Sequence, residues 1–209
     1  MKNLLLLSAL VVLIGLSSCS KNNELDVSAD EVQLLQNYVE EANALIDVAG
    51  QVDGDVATIF SSTFTINACG GNVTFTNGGV ATEATLLLND MIDKMGFESA
   101  LDVHNWMVDA GRVMYDIKQV NKKNFDGDRE IMTELACLVA PEIMTRSNST
   151  QCYKDNLVSL FVGTLDAGSN YGTVIANQGK KDISEAGCSA RGSSFNKIWL
   201  FMKNSHDCE

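Results

Sequence analysis

The chain has 209 residues, 45% of them hydrophobic and 20% charged, with a single Pro and a formal net charge of −12. That is too apolar for a disordered tail, too poor in Pro for collagen-like or Pro-rich linker classes, and long enough for one well-buried domain. Lys and Arg are not in excess, which argues against nucleic acid as the main partner, because phosphate backbones need them.

The first predicted element is a processing signal. Lys2 and the free amine form a short positive start, and an apolar run from Leu4 to Leu16 follows, interrupted only by Ser8 and Gly15. As a helix this run spans roughly 20 Å, short of a ~30 Å hydrocarbon core, so it fits a secretory signal and not a membrane span. It ends in Leu16-Ser17-Ser18-Cys19. That tetrapeptide resembles the lipobox of bacterial lipoproteins: an aliphatic residue, two small ones, then Cys. The resemblance covers the signal region only and names no domain family. It implies a diacylglyceryl group on the Cys19 sulfur, cleavage just before Cys19 and acylation of the new amine. Ordinary signal-peptidase cleavage, leaving Cys19 a plain thiol, is the alternative. Two or more acyl chains give stable anchoring where one does not, so the implied partner is the membrane, reached through lipid at Cys19. Ser20 in place of Asp after the Cys implies, by resemblance to enterobacterial sorting, the outer membrane of the cell envelope. Cleavage also removes Lys2 from 15 basic residues set against 27 acidic ones, taking the formal charge to −13. An acidic body of this kind is held at a membrane by its lipid and not by its charge.

The expected organisation is therefore residues 1–18 as signal peptide, 19–27 as lipidated tether, and 28–209 as a single, mostly helical globular domain. Ser28 to Glu31 matches a capping box, and Val32, Leu35, Val39, Ala42, Ile46 and Ala49 recur at helical spacing before Gly50. Val52 to Asp55 reads as a turn. Thr63 to Thr76 alternates with period two. Taking Gly70-Gly71 as a two-residue turn pairs Ala68 with Val73 and Ile66 with Phe75, a hairpin whose apolar face should lie on the helices. A second helix is predicted from about Thr82 to Met95. A third follows Ser99, which with Asp102 forms a capping-box variant. In it Asp102, Asn105, Asp109, Arg112, Asp116 and Gln119 form one narrow polar stripe on an otherwise apolar or small surface, which predicts burial on most sides. Further helices are predicted from Asp128 to Val139, restarting after Pro141 at Glu142 to Met144, from Tyr153 to Leu165, and from Ser194 to Lys203. The Gly- and Ser-rich stretch between Ala167 and Ser193 receives no assignment. The fold class expected is mainly α: a compact bundle of about six helices with one embedded β-hairpin at about 63–76.

With Cys19 lipidated, Cys69, Cys137, Cys152, Cys188 and Cys208 remain. No C-x-x-C pair and only two His are present, so no familiar zinc or thioredoxin pattern exists, and disulfides are the default in an exported chain. Cys137–Cys152 and Cys188–Cys208 are the preferred pairs because each closes a short segment between neighbouring elements. Cys69 is left over by elimination, and other pairings stay open.

Catalytic signals are sparse. Asn124 to Glu130 resembles part of a calcium loop, but with Gly127 sixth, Lys122 would sit first and Thr133 last, both wrong for an oxygen-donor site. A turn with Asp126 or Asp128 capping the next helix is the preferred reading. His104 reads as a buried structural residue and His206 as exposed near the C-terminus; no G-x-S-x-G turn accompanies them. Asn148-Ser149-Thr150 fits a glycosylation sequon, which has no bearing on a bacterial chain. No catalytic residue, metal site or cofactor is assigned. The expectation is a non-enzymatic lipid-anchored protein-binding or structural module, its partner an envelope or basic protein. An envelope hydrolase using carboxylates, or a small-ligand or calcium carrier, are the alternatives.

Overall fold

The computed structural model describes residues 19, 25–50, 64–67, 72–75, 100–146, 149–177, 197–198, 200–205 and 208. The expected helix at 82–95, the turn at 52–55, the Ser99 cap, Cys69, Cys188 and His206 lie outside the described residues.

Helix α1 runs Ala29–Gly50. Its start is the capping box read from the sequence: the Ser28 backbone N–H donates to Glu31 Oε2 at 2.8 Å, the Glu31 N–H donates to Ser28 Oγ at 3.3 Å, and the Ser28 hydroxyl donates to the same carboxylate at 2.7 Å. Two of the otherwise orphaned first-turn amides are thereby satisfied. Leu35, Tyr38, Val39, Ala42 and Leu45 on one face are buried, the 3–4 spacing that puts an apolar stripe against a core.

Strands β1 (Phe64–Asn67) and β2 (Asn72–Phe75) pair antiparallel with Phe64 opposite Phe75 and Ile66 opposite Val73. The expected fold needs correcting here. The innermost pair is Asn67 with Asn72, so the connection is Ala68 to Gly71 and not a two-residue Gly-Gly turn. The register is offset by two residues from the one predicted, which leaves the alternation unchanged. Nor is the ladder embedded in the bundle. Among the described residues the extensive packing joins helix to helix and strand to strand, and none of it joins the ladder to a helix. The bundle itself is compact and mainly α, with no strand in it.

Helix α2 (Ala100–Asn121) buries Met107, Val108, Ala110, Met114 and Ile117, while Asn105, Asp109, Arg112 and Asp116 are exposed. These four positions of the polar stripe and the burial beside them are as the spacing predicts, but Tyr115 and Val120 outside the stripe are exposed. Helix α3 (Asp128–Val139) has the predicted bounds, and the short α4 (Pro141–Met144) starts one residue before the predicted Glu142, with Pro141 in the first turn where its missing N–H is harmless. Helix α5 runs Gln151–Asn177, twelve residues beyond the predicted end at Leu165. The Thr150 hydroxyl caps it, accepting from the Tyr153 N–H at 3.2 Å. A last helical segment covers 197–198 and 200–205, burying Ile198, Phe201 and Met202.

The α2–α5 crossing is the centre of the molecule and the most extensive contact between described elements. It is made backbone to backbone. A Cβ on Gly111 would lie 2.2 Å from the Thr164 carbonyl oxygen, and one on Gly168 2.2 Å from the Gly111 carbonyl carbon. No real side chain fits at such distances, so the crossing exists because both positions are Gly. Helix α1 then packs over the crossing. The Tyr38 hydroxyl and Thr164 Oγ1 share a buried hydrogen bond of 2.7 Å, and the Tyr38 ring lies 4.4 Å from that of Trp106, tilted by 34°. Trp106 Nε1 in turn donates to Glu41, and the Tyr153 hydroxyl donates to Asn43.

Candidate functional site: Cys19 and its dock

The one residue to which the sequence assigns a definite chemistry is Cys19, and the structure gives it a definite address. Cys19 packs against the core and is joined by a disulfide to Cys137 in α3, with the two Cα atoms 5.8 Å apart, within the ordinary range for a bridge. Six residues further on, Leu25 and Val27 also pack on the core. Between them Asp26 is held by Asn121, the last residue of α2. The Asp26 N–H donates to Asn121 Oδ1 at 2.8 Å, and Asn121 Nδ2 donates to the Asp26 carbonyl at 3.0 Å. Asn121 is 1% exposed and also donates to the Ile117 carbonyl at 2.8 Å, so its side-chain oxygen and nitrogen are both used inside the protein. Its amide mimics a strand partner for one residue of the incoming chain. The segment expected to be a plain tether is therefore docked on the body at 25–27.

The expected disulfides also need correcting. Cys137 is bonded to Cys19 and not to Cys152, and Cys208 is bonded to Cys152 and not to Cys188. Sequence proximity misleads because α4 and the start of α5 intervene between Cys137 and Cys152. The second bridge instead fastens the C-terminus to the first turn of α5. Asn156, one turn along α5, donates to Cys208 Sγ at 3.2 Å.

The residues that resembled a calcium loop do something else. Asp128, at the first position of α3, is ion-paired with Lys118 of α2 at 2.7 Å, and Glu130 reaches back to accept from the Asp126 N–H. Neither Asp126 nor Asp128 caps the helix: Gly127 occupies the N-cap, with no side-chain cap bond. Among the described residues no group of three His, Cys, Asp or Glu side chains is placed to hold a metal ion. His104 is buried in α2 at 3% exposure, in line with a structural role.

An open recess of about 150 Å³ lies between α5 and the C-terminal segment, lined by Asn156, Ser159, Leu160, Lys197, Phe201 and Asn204. It is smaller than the ~300–1,000 Å³ of small-molecule sites. Lys197 is spoken for, donating to the Gly163 carbonyl at 2.8 Å and pairing with Asp166 at 3.2 Å. Burial pushes the Tyr38 phenol well above its ordinary pKa, a shift that the Thr164 bond opposes. A hydroxyl that resists ionisation and lies in the packed core serves the fold and not an acid–base step.

The structural features not legible in the sequence are the Asn121 clamp and the Gly111–Gly168 crossing. A polar residue at the end of an apolar helix was the only local sign of the first. Among the described residues no helix is long and apolar enough to cross a membrane. No family model, curated protein or solved structure matches this chain.

Proposed function

We propose that the protein is a lipid-anchored lipoprotein of the bacterial cell envelope, acting as a non-enzymatic protein-binding or structural module. The observation that carries this reading is Leu16-Ser17-Ser18-Cys19, placed directly after a charged start and a thirteen-residue apolar run. The Cys152–Cys208 bridge supports an exported location independently, because disulfides persist in oxidising compartments. The described surface is rich in exposed acids, among them Glu40, Asp109, Asp116, Asp126, Glu130, Glu142 and Asp155. A basic protein of the envelope is the partner such a surface would steer.

The test has two arms. Mass spectrometry of the mature protein from a bacterial envelope is expected to show an N-terminal Cys19 carrying acyl chains, and Cys19→Ala is expected to release the protein from the membrane fraction. An unmodified N-terminus, or a Cys19→Ala protein that sediments as before, overturns the anchor. Affinity capture from solubilised envelope is expected to recover a basic protein whose binding weakens steeply between roughly 50 and 300 mM salt, as the Debye length shrinks from about 14 Å to about 6 Å. Recovery of no partner at low salt counts against the binding role.

A further inference from the structure

The sulfur that the lipobox assigns to a lipid is the same sulfur that the structure bonds to Cys137. The two uses exclude each other. A thioether sulfur has no S–H left to oxidise, and a disulfide sulfur has no thiolate left to alkylate. Resting on the lipoprotein reading above, we propose that Cys19 is the branch point between two forms of this protein: a lipid-anchored form with a free Cys137 thiol, and a disulfide-closed form without lipid.

Both branches balance. In lipidation the Cys19 thiol attacks the glyceryl carbon of a phospholipid; a C–S bond forms, the C–O bond to the head-group phosphate breaks, and the thiol proton leaves with that phosphate. In closure the S–H bonds of Cys19 and Cys137 are lost and one S–S bond forms. Two electrons and two protons pass to an exported disulfide oxidant, which becomes a dithiol.

The geometry that sets the competition is independent of the bond itself. The Asn121–Asp26 clamp and the packing of Leu25 and Val27 hold the chain on the bundle seven residues downstream of Cys19. That keeps the Cys19 sulfur within roughly 25 Å of the clamp, the reach of seven extended residues, and the half-buried Cys137 of α3 lies inside that range. Docking raises the effective concentration of one thiol at the other, and so favours closure over an encounter with lipid. Lipidation must therefore precede docking. In the anchored form Cys137 is left as a thiol in an oxidising compartment, open to pairing with a thiol of another molecule.

The full chain is expressed in a bacterial host that processes lipoproteins, thiols are trapped with an alkylating agent during lysis, and peptides containing Cys19 and Cys137 are followed by mass spectrometry. The wild type is expected to yield two populations: lipid-bearing Cys19 with alkylated Cys137, and a lipid-free Cys19–Cys137 linked peptide. Cys137→Ser is expected to abolish the second and raise the lipid-bearing fraction to nearly the whole. Asn121→Ala, which touches neither sulfur, is expected to lower the linked-to-lipidated ratio several-fold. A wild type that is fully lipidated with no linked peptide overturns the branch point while leaving the lipoprotein reading intact, as does a ratio unmoved by Asn121→Ala. Absence of lipid on Cys19 in all three proteins overturns the lipoprotein reading, and the branch point with it.

Discussion

Tyr38 is held at the meeting of three helices, its hydroxyl bonded to Thr164 and its ring against Trp106. Its phenol is fully desolvated, and that raises its pKa above the ordinary value of 10.0. Below about pH 10 both folded and unfolded chains carry the protonated phenol, so the shift contributes nothing to the pH dependence. Above it the unfolded chain releases the proton and the folded one does not. Stability is then lost as pH rises, by about 1.4 kcal/mol per pH unit from this group alone, until the folded phenol ionises too. Tyr38→Phe is expected to flatten the decline in urea-unfolding free energy between pH 10 and 11 relative to wild type. At pH 7 it should cost about 1 kcal/mol, the ordinary loss for one hydrogen bond. An unchanged alkaline slope would show that Tyr38 ionises without unfolding.

Asn121 makes a comparable point about polar burial. Replacing it with Ala leaves the Asp26 backbone pair without partners in a half-buried place, at a cost of about 1–3 kcal/mol. The expected signature is a lower urea midpoint together with faster proteolytic trimming of the chain before Ser28, with the rest of the domain intact. The sequence shows Asn121 at a helix end, where Asn is common, but nothing nearby indicates that its amide reads a backbone 95 positions away. Tyr38 was likewise absent from the apolar positions counted along α1, because its ring is core while its hydroxyl needs a partner that only the folded chain supplies.

At the scale of elements, periodicity served well where a helix buries one stripe. The capping box of α1, the polar stripe of α2 and both ends of α3 follow from residue spacing alone. It fails on α5, where several Gly and Ser after Ala167 interrupt the helical signal although the helix runs on to Asn177. Gly168 costs helix propensity, about 1 kcal/mol against Ala, and is required because α2 approaches so closely there. The crossing predicts a graded series. Gly111→Ala and Gly168→Ala should each destabilise by about 3 kcal/mol or more, since backbone atoms cannot yield. Gly163→Ala meets the Lys197 side chain, its Cδ at 3.0 Å, and not backbone, and should cost less. Gly127→Ala, whose Cβ would meet nothing within 4 Å and whose φ of 175° is open to any residue, should fall within about 0.5 kcal/mol of wild type. Thermal unfolding of the four variants checks the order, and equal effects at Gly111 and Gly127 would refute the close crossing.

The described body is fastened by sulfur at Cys19 and at Cys208, and this was the least legible feature of the sequence. Cysteine pairing depends on which elements lie side by side, and spacing along the chain carries little of that information. The bounds of α1 and α3 were nearly right and the end of α5 was not, and both preferred bridges were wrong. The Cys152–Cys208 bridge draws the C-terminal segment onto α5, where Ile198, Phe201 and Met202 add to the core. Its loop is long, with a sequence separation of 56, and in the chain-entropy picture such a closure stabilises by about 4 kcal/mol, less whatever order the open chain retains. Opening it should act first on the segment it fastens. Cys152→Ser combined with Cys208→Ser is therefore expected to lower the urea-unfolding free energy by about 2–4 kcal/mol. Amide exchange should accelerate at 200–205 before it does in α2, because the crossing at Gly111 and Gly168 does not depend on the bridge. If exchange rises equally throughout, the C-terminal segment is integral to the cooperative core, and the bridge acts on the fold as a whole and not on its edge.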